Sequence, residues 1–325
     1  MRMAGDAVIK TSAPGSLMLL GEHAVLHGSR ALVGAINRRI EVELFSHGHV
    51  DTECDSQRPS LEDLVIIHSS LGDYQAPLNE LGDHPNFRFV LQAIKQHLDA
   101  IPSGFELKIT SEFSADIGFG SSAAVTVAVH AALMHWLLGV EPENEALFKQ
   151  ALETVLAVQG RGSGSDLAAS VYGGIVGFTT DPDFIPIEVS IPLTAVYCGY
   201  KTPTPDVILR VEQLKATDPQ KYERIYFDIN ASAEMAIALL AKHDFPGFGK
   251  ILNRNQELMD EMGVNTPELQ EIVEALQNAP DIFGAKISGS GMGDCAVGIG
   301  YADLSTLEYP VYHLEITPAG CQYYE

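Results

Sequence analysis

A chain of 325 residues is long enough for two domains or one large α/β unit with a sizeable core. Its formal charge of −23, from 20 Lys and Arg against 43 Asp and Glu, disfavours nucleic acid and anionic membrane surfaces as partners, and no basic cluster offsets it. With 46% apolar and 19% charged residues the composition is that of a soluble globular protein, with no apolar stretch expected to approach the length of a membrane span.

Residues 7–12 and 39–46 read as strands, the second by clean alternation. The polar, turn-rich segment 47–85 reads as loops and a hairpin at a sheet edge. An amphipathic helix is predicted at 86–99, a strand at 104–111, a buried apolar helix at 121–138 and a further helix at 143–158. Gly160 to Asp166 reads as a flexible loop leading into a short apolar helix at 167–171 and a strand at 173–179. Two prolines flank a turn at 181–186, which marks a linker between units 1–182 and 183–325. The pattern then restarts with a strand at 194–199, helices at 205–215, 218–241, 247–262 and 266–278, and strands at 283–287 and 295–299. This irregular mixture predicts an α+β protein, not a doubly wound parallel sheet.

Gly118-Phe119-Gly120-Ser121-Ser122-Ala123-Ala124 runs directly into the apolar helix. The unpaired N–H groups and positive dipole end of such a helix suit a phosphate, and glycines let the backbone approach it. Ser121 and Ser122 add hydroxyls able to bind phosphate oxygens or Mg²⁺. A capped core helix after a turn is the alternative, and the absence of Gly-Lys-Ser/Thr excludes the Walker scheme. Taken by itself, Asp166 reads as an N-cap of the helix at 167–171. Met1 to Asp6 lacks the apolar core of a signal peptide, and Cys54, Cys198, Cys295 and Cys321 show neither pairing nor metal spacing, so a reducing cytoplasm is expected.

Two more glycine-rich segments accompany the first: Ala13-Pro14-Gly15-Ser16-Leu17-Met18-Leu19-Leu20-Gly21-Glu22-His23-Ala24-Val25-Leu26-His27-Gly28, and Lys286-Ile287-Ser288-Gly289-Ser290-Gly291-Met292-Gly293-Asp294-Cys295. Together the three resemble the motif set of the GHMP kinases, named for galactokinase, homoserine kinase, mevalonate kinase and phosphomevalonate kinase, over nearly the whole chain. The first motif is most similar to the mevalonate kinase version, whereas Ser165 to Gly174 and Gly293-Asp294-Cys295 resemble phosphomevalonate kinase. The resemblance implies two domains, one like the second domain of ribosomal protein S5 and one ferredoxin-like, with ATP and a small hydroxyl substrate in the cleft between. It implies ATP-dependent phosphorylation of a hydroxyl, mevalonate first, with phosphomevalonate or a nucleotide- or metabolite-sensing role as alternatives. A homodimer is left open.

By the same resemblance, Gly118, Gly120, Ser121, Ser122 and Ala123 hold the ATP phosphates. Ser16, Glu22, His23, Ser163, Gly289, Ser290 and Gly291 line the substrate cleft, and Asp166 is the general base. Mg²⁺ falls to Ser122, with Glu22 contributing directly or through water or else serving as a structural carboxylate. Two departures matter. Mevalonate and phosphomevalonate kinases carry a Lys where this chain has Ser16, so another cation is needed, with Lys201 the first candidate and Arg161 the second. The helical Glu that ligates Mg²⁺ in mevalonate kinases corresponds to Val155, with Glu153 on another part of the helix. His23 and His27 are expected to be hydrogen-bonding scaffold.

Overall fold

A computed structural model describes residues 8–47 and 63–324. Met1 to Asp6, Cys54 and the part of the 47–85 excursion between 48 and 62 lie outside the described residues.

The first sheet contains β1 (Val8–Leu20), β2 (Ala31–Ser46), β3 (Leu64–Ser69), β4 (Gly72–Pro77), β5 (Phe105–Ser111), β6 (Ile175–Phe178), β7 (Phe184–Ile187) and β12 (Gln322–Tyr324). Its main path runs β12-β1-β2-β5-β3-β4, with β6 pairing β2 and β7 pairing β6. The second sheet has the order β11-β8-β10-β9, from β8 (Pro192–Tyr197), β9 (Ala285–Ser288), β10 (Cys295–Ile299) and β11 (Val311–Glu315). The helices are α1 (Arg88–His97), α2 (Ser121–Leu138), α3 (Asn144–Gln159), α4 (Ser165–Tyr172), α5 (Thr204–Thr217), α6 (Pro219–Leu240), α7 (Phe245–Met262) and α8 (Pro267–Asn278).

The α+β expectation holds, and the structure amends four details. β1 continues through Ala13-Pro14-Gly15-Ser16 to Leu20, so the first motif begins in a strand and not a loop; its register shifts between Pro14 and Ser16, a bulge that accommodates the proline. The expected linker at 181–186 contains β7, which among the described residues pairs only β6, an edge position where Pro186 leaves no central ladder bond unmade. The sheets do not divide at 182/183: β7 and the C-terminal β12 both join the first sheet, β12 by pairing Lys10 with Tyr324. Finally, α2 is long and apolar enough to cross a membrane by length and composition alone, although 61% of it is buried inside the protein.

That burial follows from sequence. Ala123, Ala124, Ala128, Ala131 and Ala132 are small enough for α2 to lie close against β1 and β2, and Val127, Val129 and Leu133 fill the space around them. A second apolar cluster joins Leu17, Leu19, Leu32 and Ile36 of the first sheet to Leu193, Val297 and Leu314 of the second. One continuous core therefore spans both sheets and holds the glycine-rich segments together.

Candidate active site

Three close approaches, each requiring a glycine, bring the motifs into one place. A Cβ on Gly120 would stand 2.0 Å from the Ser16 Oγ, and one on Gly15 would stand 2.5 Å from the Phe119 carbonyl oxygen, so the second motif lies against the first. A Cβ on Gly118 would stand 2.1 Å from Asp294 Oδ1, so the second motif also meets the third. Gly118 and Gly120, expected to clear space for phosphate, thus clear space for Asp294 and Ser16.

α2 begins behind this junction with Gly120 as its N-cap at φ 67, a left-handed conformation. The Ala124 N–H donates to the Gly120 carbonyl, which leaves the N–H groups of Ser121, Ser122 and Ala123 without helical partners. Ser121 Oγ lies 3.4 Å from the Ala115 carbonyl oxygen. The Ser122 hydroxyl has no protein partner among the described residues, and its carbonyl accepts from Thr126. Ala123 is buried in the first turn.

α4 starts at the same junction. Its N-cap is Gly164 at φ 86, so Asp166 does not cap it. The Asp166 carboxylate instead accepts the Ser16 hydroxyl, 2.8 Å from Oδ1. Two helix N-termini therefore meet at Ser16, and their dipoles supply positive potential in a chain of net charge −23. Asp166 is ringed by protein atoms yet keeps solvent-exposed surface. That crowding holds its carboxyl above the ordinary carboxylate range, with the Ser16 hydrogen bond and Lys201 pulling it down and Asp294 pushing it up. Ser163 Oγ is 2.9 Å from Ser165 Oγ and accepts the Ser165 N–H, shaping the turn into α4.

Lys201 ion-pairs with Asp294 at 3.1 Å. Arg161 is exposed and forms no ion pair among the described residues, so Lys201 is the cation that joins the cluster. Of the roles expected for Glu22, its surroundings match the structural carboxylate and not the magnesium ligand. It is buried, ion-paired to Lys286 and within 3.4 Å of the Asn255 amide nitrogen, so its carboxylate is committed to the core and cannot serve as a magnesium ligand. Lys286 is itself buried, and burial draws its ammonium below the ordinary lysine range while Glu22 opposes the shift. Val155 is buried, and Glu153 is exposed on α3.

His23 is buried with its Nε2–H donating to the Ser290 carbonyl at 2.8 Å; desolvation lowers its pKa and keeps the ring neutral. It ties the first motif to the third as scaffold. His27 contacts Glu212 at 3.0 Å and stacks on Tyr226, away from the cluster. Gly289 and Gly291 take positive φ, and a Cβ on Gly291 would lie 2.7 Å from the Val264 carbonyl oxygen, so these glycines shape the third motif. Two surface cavities of about 600 and 400 Å³, beside the β3–β4 hairpin and between α1 and α3, include none of these residues.

Residues 87–174 match the N-terminal domain of the GHMP kinases and residues 236–306 match their C-terminal domain. The chain is 32% identical over 301 residues to a mevalonate kinase of Thermococcus gammatolerans, covering 88% of this chain and 87% of that one. It belongs to the GHMP kinase family. A mevalonate kinase of Archaeoglobus fulgidus is 34% identical over 295 residues, covering 89% of this chain and 91% of its own. The Methanococcus jannaschii mevalonate kinase structure superposes with a TM-score of 0.77 at 24% identity, covering 97% of this chain and all of that one. A Lin0012 protein from Listeria innocua superposes at 0.80 with 22% identity, covering 98% of this chain and all of its own. These superpositions bear out the two-part GHMP fold. With mevalonate kinases among its relatives, this member of the family is a phosphotransferase with an alcohol acceptor, and the family implies ATP as the phosphate donor.

Asp294 and Lys286 were missing from the residues singled out in the sequence, although both lie within the third motif. The available signal for Asp294 was a non-glycine residue in a glycine run, and it adopts φ 73. Lys286 gave no local signal, because its partner is 264 residues away.

Proposed function

We propose that this GHMP kinase transfers the γ-phosphate of ATP to the hydroxyl of mevalonate, giving 5-phosphomevalonate. The observation that carries the reading is Asp166 held by Ser16 at the meeting point of the three motifs, in a chain at least 30% identical over most of its length to mevalonate kinases. Asp166 accepts the proton of the acceptor hydroxyl, that oxygen bonds to the γ-phosphorus, and the bond to the β,γ-bridging oxygen breaks to release ADP. Ser16 keeps the carboxylate oriented, and Lys201 supplies the charge that a lysine at position 16 would have given. The free N–H groups and hydroxyls at the start of α2 receive the phosphates. Ser122, with its unpartnered hydroxyl, is the residue that would hold Mg²⁺, whose charge when bound offsets the negative charge on the phosphates.

The test is ADP release from Mg·ATP with mevalonate, phosphomevalonate, homoserine and galactose side by side. Turnover that depends on mevalonate and yields 5-phosphomevalonate by phosphorus NMR is expected. Turnover confined to phosphomevalonate would replace the acceptor, and nucleotide binding without turnover on any of the four would favour a sensing role.

A further inference from the structure

Asp294 is placed by several independent constraints at once. Its N–H donates to the carbonyl of Tyr200 at 2.8 Å, and its own carbonyl accepts the Cys198 N–H at 2.9 Å. Because Lys201 follows Tyr200, this main-chain pairing sets the two side chains next to each other. Gly293 lacks the Cβ that would stand 2.8 Å from the Tyr200 ring, and Gly118 lacks the one that would collide with the Asp294 carboxylate. Asp294 itself takes a left-handed backbone, a costly conformation for a residue with a side chain. Oδ2 pairs with Lys201, the Cys295 thiol stands against the carboxylate, and among the described residues Oδ1 is buried with no partner that meets hydrogen-bond geometry.

These features cost stability, and the ion pair does not offset them: the Lys201 side chain is 39% exposed, and a partly exposed pair contributes little. The arrangement makes sense through what it positions. From Asp294 the contacts run to Gly118, two residues along the loop to Gly120, and on to Ser16 and Asp166. We propose that Asp294 is a positioning residue that holds the Lys201 ammonium in the field of the Asp166 carboxylate, so that the third motif supplies the cation missing from the first. This rests on the role given to Lys201 under the proposed function.

The groups facing this pair are few. Asp294 is faced by Lys201, Asp166, Tyr197, Cys198 and Cys295, with Asp116 also close to Tyr197. Burial raises the pKa of both thiols and of the Tyr197 phenol, so all three stay neutral near pH 7. Asp166 is faced by Ser16, Lys201 and Asp294, and there the two charges act with opposite sign: Lys201 favours its ionised form, and Asp294 disfavours it.

That opposition gives the test. The pH dependence of kcat is compared for the wild type, Lys201→Met, Asp294→Asn and the double variant, with thermal melts as a check on folding. If Asp294 works by holding Lys201, Asp294→Asn moves the acid limb to higher pH, in the same direction as Lys201→Met. Each variant lowers kcat by about tenfold or more, and the double variant is no slower than Lys201→Met. If Asp294 is only a neighbouring charge, its removal moves the acid limb to lower pH; that result, an unmoved limb, or additive losses would overturn the proposal. Should Asp294→Asn fail to fold, the comparison is read from the other partner. Lys201→Arg, which keeps a cation on Asp294, retains the wild-type limb, and a limb shifted as far as in Lys201→Met would overturn the proposal. An unchanged kcat and pH profile in Lys201→Met would refute the role of Lys201 itself, an outcome distinct from a shift in Lys201→Met that Asp294→Asn does not share.

Discussion

Ser16 occupies the bulge of β1 with its hydroxyl on Asp166 and its N–H on the Phe119 carbonyl. A hydroxyl there cannot neutralise a substrate oxygen as an ammonium would, but it can fix a carboxylate rotamer and favour its charged form. Ser16→Ala is expected to raise the Asp166 pKa, because a hydrogen bond to the ionised form is lost while the crowding remains. The acid limb of the kcat profile then moves to higher pH, with kcat at neutral pH falling by about tenfold. A limb that moves the other way would contradict this assignment. At this scale Asp166 was legible in the sequence because its Ser-Gly-x-Asp setting is local. The commitment of Glu22 to Lys286 was not, because a buried pair between distant residues leaves no mark on the neighbours of either.

The elements follow their local patterns where one face is clearly apolar. α2 and β10 keep their predicted bounds, and most other helices shift by only a residue or two at each end. β11 and β12 were missed because both are short and largely exposed, so neither shows an apolar alternation. The glycines of α2 offer a matched comparison. Gly120 and Gly139, its N-cap and C-cap, both have positive φ, but a Cβ on Gly120 strikes Ser16 whereas one on Gly139 meets nothing within 4 Å. Gly139→Ala is expected to cost about 1–2 kcal/mol in denaturant unfolding with activity unchanged. Gly120→Ala should in addition lower ATP affinity and kcat, each by at least about tenfold, because the first motif must move; equal behaviour of the two variants would contradict the convergence at Ser16.

α2 also carries a buried polar chain. His97 Nε2 lies 3.0 Å from His130 Nδ1, His130 Nε2 lies 2.8 Å from the Thr154 hydroxyl, and that hydroxyl donates to the Gln96 side-chain oxygen. The donation to Gln96 fixes the rest: His130 donates from Nε2 to Thr154 and accepts at Nδ1 from His97. Burial lowers the pKa of His130 from 6.5 to about 3, so the unfolded chain binds a proton that the folded one rejects. Stability from this residue is full above about pH 6.5 and is lost as pH falls toward 3, where the losses cease to grow. Chemical unfolding from pH 7 to 4 should show that decline, and His130→Gln should flatten it.

For the molecule as a whole, the buried Glu22–Lys286 pair joins the first motif to the second sheet in the shared core. Lys286→Met leaves Glu22 buried and uncompensated, so a loss of about 3–5 kcal/mol in unfolding free energy is expected, with much of it recovered by adding Glu22→Gln. Full stability in the single variant would show the pair to be dispensable. The return of β12 to β1 and the partition of strands between two sheets were beyond the sequence, since strand pairing across some 300 residues depends on register and not on local pattern. What composition did convey was the electrostatic problem of an acidic chain handling phosphate, and the meeting of two helix N-termini at Ser16 answers it. The most direct test of the central claim is mevalonate-dependent ADP release by Asp166→Asn, measured beside calorimetric affinities for mevalonate and Mg·ATP. The account predicts a kcat reduced by about a hundredfold to ten-thousandfold with both affinities within a few-fold of wild type; a kcat near the wild-type value would contradict it.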